Sequence, residues 1–221
     1  MTKLVFISDT HTRFGELTIS ECDILIDSGD YSFKGTNSEI KNFYKWFDKQ
    51  PAKHLISVQG NHELGFEANP ENAIAIAKSQ CERVHLLHDS GVTINGIKFW
   101  GSPWQPEFCD WAYNLPRGLP LKEKWALIPD DTNVLITHGP PYQILDDVQN
   151  MWEGRIESVG CMALRSRTSK LDHLKFHSFG HIHLMGSKQM KVGNTTFINA
   201  SICDEGYKAT NKPVEIDYEN I

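Results

Sequence analysis

Seven side chains of metal-binding type stand just after short apolar runs in this sequence. Asp9 and His11 follow Leu4–Ile7, Asp30 follows Ile24–Ile26, and Asn61, with His62 beside it, follows Leu55–Val58. His138 follows Val134–Thr137, and His181 and His183 follow Phe176–Phe179. In Asp9-x-His11 and His181-x-His183, a spacing of two puts both side chains on one side of an extended backbone, so each pair can face one ion. Asp30 has two carboxylate oxygens and can bridge two cations held about 3.5–4 Å apart. Asn61 adds a neutral amide oxygen that limits the negative charge. Gly29, Gly60 and Gly180 allow sharp turns and close backbone approach just before the ligands.

Imidazole and carboxylate without thiolate suit Mn, Fe or Zn, with Mn placed first, and argue against an all-oxygen Mg site. Two divalent cations bring +4 against −2 from Asp9 and Asp30, so the site carries about +2, which suits a phosphate oxyanion. Each motif is a weak signal alone, but five of them at strand ends in one chain have no packing explanation. The other histidines, His54, His85, His88, His173 and His177, lie within or beside strands and helices without glycine turns or partner carboxylates, and read as packing or surface residues.

The elements that must position these residues follow from apolar periodicity. Besides the five runs above, Val84–Leu87, Val92–Ile94, Ile97–Trp100, Met190–Val192, Thr196–Asn199 and Val214–Asp217 read as strands, with Asn95-Gly96 and Gly193-Asn194 as turns. Ile40, Phe43, Tyr44 and Phe47 recur at helical spacing, so 38–49 is a helix, closed by Pro51. Helices are also expected over 70–80, begun by Pro70, and over 158–171; 101–120 reads as a long ordered loop. Mixed strands and helices with two hairpins point to a two-sheet α/β sandwich. Ligands at the carboxyl ends of parallel strands converge on one sheet edge, where α/β folds build sites.

Composition bounds the rest. The 221 residues predict one domain, 1–221, and 40% hydrophobic with 23% charged residues exclude disordered and collagen-like classes. A net charge of −6 argues against a long nucleic-acid groove, though not against a small phosphorylated substrate. No run is long enough to span a membrane, and the first strand meets Asp9 too early for a signal peptide. Five scattered cysteines with no CxxC pair favour free thiols in a reducing, cytoplasmic setting.

The order D-x-H, G-D, G-N-H-E, H, G-H-x-H from Asp9 to His183 resembles the calcineurin-like metallophosphoesterase superfamily. Gly101–Pro106, Asn114–Gly118, Thr137–Pro141, Phe179–His183, Ile198–Ser201 and Asn211–Pro213 resemble the small metallophosphoesterase-domain group within it. The resemblance implies a four-layer α/β/β/α sandwich of two mixed sheets flanked by helices. It implies a dinuclear site in which Asp9, His11, Asp30 and His183 hold one metal and Asp30, Asn61, His138 and His181 the other. It also implies that His62 is the catalytic acid. Some members of the group lack one late histidine; this sequence keeps both His181 and His183.

The expected reaction is hydrolysis of a phosphate ester, foremost a nucleotide phosphodiester such as a cyclic nucleotide or an oligonucleotide end. Hydroxide held between the metals would attack phosphorus and His62 would protonate the leaving oxygen. Trp104, Phe108, Trp111 and Tyr113 read equally as a stacking platform for a base or as a cover over the core. Arg117, Arg155, Arg165 and Arg167 are candidate phosphate clamps, although surface solubility explains any single one as well. Only the family pattern suggests that Asn199 and Ser201 line the site. A phosphomonoesterase, needing Arg117 or Arg155 for the extra charge, is the first alternative. A nuclease with a basic channel is disfavoured by the acidic balance, and a metal-bound interaction module without turnover is the reading from another class.

Overall fold

The computed structural model describes residues 1–149 and 154–219. In chain order the first half has strands β1 (Thr2–Ile7), β2 (Cys22–Asp27), β3 (Ala52–Ser57), β4 (Val84–Leu86), β5 (Ser90–Ile94) and β6 (Ile97–Ser102), with helices α1 (Asn37–Phe47), α2 (Leu64–Ala68) and α3 (Pro70–Gln80). The second half has β7 (Gln105–Pro106), β8 (Asn114–Leu115), α4 (Leu119–Ala126), β9 (Val134–Thr137), β10 (Asp147–Gln149), β11 (Ile156–Ser158), α5 (Met162–Thr168), β12 (Phe176–Phe179), β13 (Gln189–Val192), β14 (Thr195–Asn199) and β15 (Val214–Tyr218). One sheet runs β15-β1-β2-β3-β4, parallel except for β15 at one edge, and the other β13-β14-β12-β9-β6-β5, parallel inside with an antiparallel strand at each edge.

The central strands are apolar on both faces, yet their residues alternate in destination. Leu4, Phe6, Ile24, Ile26 and Ile56 fill the space between the sheets with Phe99, Ile136 and Ile198 of the second sheet. Val5, Ile7, Leu25 and Leu55 face outward onto Ile40, Phe43, Phe47, Ala73 and Ala77 of α1 and α3. Leu135 meets Leu121, Trp125 and Leu164 of α4 and α5 on the far side. These three cores make four layers, helix, sheet, sheet, helix, as the family resemblance implies. Helix α1 starts where Thr36 and Glu39 form a reciprocal capping box. The Asn69 side chain accepts from Asn72 N–H to cap α3, whose first residue is Pro70.

Some elements differ from the sequence pattern. The helix expected over 158–171 shortens to α5, because residues 156–158 pair with β10 and the Gly160 N–H is held by Asp146. The stretch 101–120 holds the small β7–β8 pair and the start of α4, whose Leu119-Pro120 opening is a helix signal. Helix α2 is too short for periodicity to reveal.

At the carboxyl ends of β1 and β14 the two sheets are joined. Ser8 bridges to Ser201, and Ile202 N–H donates to Ser8 O at 2.9 Å. Both layers therefore end at the same place, and that is where the metal-binding types stand.

Phe43 is fully buried and stacks on Tyr31 at 4.2 Å between ring centroids. Replacing it by Ala should cost about 3–5 kcal/mol, because the helix layer cannot collapse into the space left. Urea unfolding followed by circular dichroism reads this directly, and a midpoint equal to wild type would contradict the packing described.

Candidate metal centre

The loops after β1 and β2 are bonded to each other, with Asp9 N–H donating to Gly29 O at 2.8 Å and His11 N–H to Asp30 O at 3.0 Å. Asp9, His11, Asp30 and His181 all have left-handed backbone, with φ of 49°, 39°, 56° and 66°. Such angles are uncommon outside glycine, and so many close together mark a place where surrounding structure over-determines the chain. A Cβ on Gly180 would strike Asp9 Oδ2, and one on Gly60 would strike Asp30 Oδ1, so both positions require glycine. Glu63, given no role by the sequence reading, holds these turns together. It accepts the N–H groups of Gly60 (2.7 Å), Asp30 (2.9 Å) and Ser32 (3.1 Å) and the Ser32 hydroxyl (2.8 Å). The signal was an acid in the turn directly after the apolar strand β3, where burial requires that N–H and O–H donors satisfy it.

The side chains fall into overlapping groups. Asp9, His11 and His183 have ligand atoms within 4.8 Å of one another, as do Asp30, His138 and His181, and as do His11, Asp30 and His62. The imidazole tautomers follow from the outer hydrogen bonds. His11 Nδ1 lies 3.1 Å from Ser32 O, His183 Nδ1 2.9 Å from Asp204 O, and His138 Nδ1 2.9 Å from Ser28 O. A carbonyl can only accept, so each Nδ1 carries a hydrogen and each Nε2 turns inward. There His11 Nε2 meets His183 Nε2 at 3.2 Å, with Asp9 Oδ1 also 3.2 Å from the latter. His138 Nε2 meets Asn61 Oδ1 at 3.0 Å and Asp30 Oδ2 at 3.2 Å. Acceptors pointed at one another among buried groups are relieved by a positive charge between them, so the donor set fits two cations. Asp30 Oδ2, 4.0 Å from His11 Nε2, lies between the two groups.

Around this core, Asp9 Oδ2 accepts from Ser201 Oγ–H at 2.8 Å, the His181 N–H is shared between Oδ2 at 3.0 Å and Oδ1 at 3.1 Å, and Oδ1 also faces His183. Asn199, expected at the substrate, instead braces the loop: its Nδ2 donates to Ile182 O at 2.9 Å and its Oδ1 accepts Ser201 N–H at 3.0 Å. Of the histidines read as packing residues, His177 is buried against Thr137 at 2.9 Å and His88 packs on Trp104 and Tyr113.

The group opens into a cleft of about 470 Å³ whose walls include His62, Phe108, Trp111, Leu184 and Tyr207. The aromatic cluster of the 101–120 stretch is thus divided. Phe108 and Trp111 face the cleft, whereas Trp104 and Tyr113 pack together at 5.8 Å and cover the structure beneath. Trp104 Nε1 donates at 2.8 Å to Asp89, a half-buried carboxylate that also accepts from Ser102 and Lys124, and this bond draws the indole away from the cleft. Arg117 lines the cleft, but its guanidinium donates to Val159 O and Gly160 O. Arg155 pairs with Glu157 at 2.9 Å and Arg167 with Asp130 at 2.6 Å. Glu107 and Glu205 add negative charge to the cleft wall.

The calcineurin-like phosphoesterase family model matches residues 2–185. The chain belongs to this family. It is 38% identical over 236 aligned positions to human metallophosphoesterase domain-containing protein 1, covering 98% of this chain and 71% of that one. Its fold is similar to that of a phosphopantetheinyl hydrolase from Mycobacterium tuberculosis (TM-score 0.58, 14% identity, 97% and 95% of the two chains). A protein of Thermus thermophilus is also similar in fold (TM-score 0.60, 13% identity, 90% and 88% covered). A calcineurin-like phosphoesterase is a hydrolase that works with divalent metal ions. Among the described residues, no helix is long and apolar enough to cross a membrane.

The electrostatics of this phosphoesterase centre follow from burial and from its carboxylates. Burial works against a charge on His138, but Asp30 beside it outweighs this and lifts its pKa to about 10. Burial likewise opposes a charge on His183, and Asp9 lifts it to about 9. Burial keeps His11 and His181 neutral, at about 4. Burial also opposes the charges on Asp9 and Asp30, yet the imidazoles hold both carboxyls well below the usual range. In chelator-stripped protein near neutral pH, protons on His138 and His183 therefore stand where cations would. Between pH 6 and 8 both folded-state pKa values lie above the ambient pH, so metal must displace one proton at each site. Mn²⁺ affinity should rise about tenfold per pH unit at each site. Titration calorimetry in buffers of different ionisation heat measures the protons released, and an affinity independent of pH would contradict this account.

Proposed function

We propose that the chain is a phosphodiesterase acting on nucleotide phosphodiesters, namely cyclic nucleotides or short oligonucleotide ends, in a cytoplasmic setting and as one domain over 1–221. The observation that carries this reading is the pairing of two inward-facing acceptor clusters with a cleft whose one arginine among the described residues, Arg117, is engaged by backbone carbonyls. In this reading Asp9, His11, Asp30 and His183 hold one ion, and Asp30, Asn61, His138 and His181 the other. The donor set of imidazole, carboxylate and amide oxygen suits Mn first, with Fe and Zn as alternatives. When bound, two such ions activate water and offset charge on the phosphoryl oxygens.

The chain's own groups do the rest. His62 gives its Nδ1–H to Phe33 O at 3.0 Å, which leaves Nε2 as the atom that donates a proton to the leaving oxygen. Phe108, exposed on the cleft wall, offers a ring face on which a nucleobase can stack without strong base preference. A diester carries one negative charge at the phosphate and a monoester up to two. The engagement of Arg117 with carbonyls and the carboxylates of Glu107 and Glu205 favour the lower charge. Arg117 also supports the alternative of a phosphomonoesterase, because it is the arginine that lines the cleft and could turn toward a second phosphate charge.

Protein stripped with chelator and reloaded with Mn²⁺ should cleave bis-p-nitrophenyl phosphate faster than p-nitrophenyl phosphate, and Asp30→Ala should abolish both. Preference for the monoester would overturn the diesterase reading. Replacing His62 by Ala should lower kcat by about 10²–10³ while bound metal, counted by elemental analysis, stays at the wild-type level. Loss of metal in that variant would make His62 a ligand instead of an acid.

A further inference from the structure

His62 is braced on several sides, and its largest contact comes from a ring outside the metal clusters. Trp111 stacks on its imidazole with ring centroids 4.2 Å apart and planes 28° from parallel. His11 meets it edge-on at 4.6 Å. The Nδ1–H bond to Phe33 O fixes one point of the ring, but a single bond leaves the ring able to tilt about it. The stacked indole opposes that tilt.

Trp111 is only half-buried, so the core does not hold it. It is held by the same turns that carry His62. Ala112 N–H donates to Asn61 O at 3.1 Å, one residue before His62, and Tyr113 N–H donates to Glu67 Oε1 at 2.8 Å. Lys34, the residue after the carbonyl that accepts from His62, places its Nζ 4.2 Å from the Trp111 ring centroid. The cation–indole contact thus closes a ring of contacts through Phe33, His62 and Trp111. Such a closed brace has no use for surface solubility or for covering the core, and every part of it acts on the imidazole plane.

We propose that Trp111 is the positioning residue for His62, holding Nε2 in line with the leaving oxygen, with Lys34 steadying the indole. The inference rests on the reading of His62 as proton donor. In the step concerned the P–O bond breaks and its electron pair stays on the departing oxygen, which takes the proton from His62 Nε2. Water supplies the hydroxyl that replaces the leaving group on phosphorus, and its remaining proton restores His62. Proton transfer needs donor and acceptor about 2.6–3.2 Å apart, so a ring free to tilt spends much of its time out of reach. The need for that proton grows with the basicity of the leaving oxygen, which separates positioning from simple substrate stacking.

The test uses the full chain reloaded with Mn²⁺ and a series of methyl aryl phosphates whose leaving groups run from 4-nitrophenol to phenol. Trp111→Ala should lower kcat at least about tenfold more for the phenol ester than for the 4-nitrophenol ester. Trp111→Phe, which keeps a stacked ring, should stay within about twofold of wild type across the series. In the His62→Ala background, Trp111→Ala should add nothing, because the two residues act as one unit. Metal content should equal that of wild type in every variant. A loss equal for all leaving groups, a loss confined to KM, or full additivity with His62→Ala would overturn the inference while leaving the proton-donor reading intact. If His62→Ala itself is insensitive to the leaving group, or the wild-type chain cleaves none of the series, both fall together.

Discussion

Everything near the carboxyl ends of the strands is arranged around acceptors that face one another. Three histidines spend their outer N–H on backbone carbonyls, which turns the inner nitrogens of His138 and His183 toward carboxylate and amide oxygens at 3.0–3.2 Å and that of His11 toward His183 Nε2 at 3.2 Å. In water that arrangement would be relieved by solvent, but Asp9, His11, Asp30 and His138 are buried. Positive charge between the acceptors relieves it, whether it comes as protons or as metal ions. The same interaction accounts for the raised His138 and His183 and the depressed Asp9 and Asp30.

Holding such a group together demands more than packing. The residues able to hold metal come from loops of both sheets, and four of them sit on left-handed backbone. What keeps those angles in place is a set of buried bonds: Glu63 gathers the turns after β2 and β3, and Ser201 with Asn199 ties the loop after β12 to Asp9. The Ser8–Ser201 bridge makes the two sheets one frame at that edge. The sandwich core supplies stability at a distance, while local strain is confined to the ligands and offset by hydrogen bonds around them.

The cleft divides its work differently from a basic phosphate pocket. Apart from Arg117, the described wall residues around the centre are mostly aromatic, apolar or acidic. Arg117, the natural clamp by residue type, fastens the chain at 159–160 beside the cleft, so its charge serves the shape of the wall. Trp111 and Tyr207 meet the histidines with ring faces and edges, which restrict motion without adding charge.

The sequence alone determined the ligand residue types, their place at strand ends and the α1 and α3 helices, because these depend on local spacing, glycine turns and periodicity. It also determined that two sheets were needed, since two hairpins and many apolar strands cannot close on a single doubly wound sheet. Tertiary structure alone decided which aromatic rings face the cleft. Trp104 and Trp111 are the same residue type in the same stretch, and they part only because Asp89 claims one indole N–H while the turn at Asn61 holds the other loop strand. The fate of Arg117 and Asn199 was likewise invisible, since their partners at 159–160 and 182 become neighbours only after the chain has folded. Glu63 stood in plain view beside His62, but its role exists only where three buried backbone N–H groups from two turns point at one carboxylate. Local pattern reports what a residue can do, and long-range hydrogen bonding in a dry interior decides what it is used for.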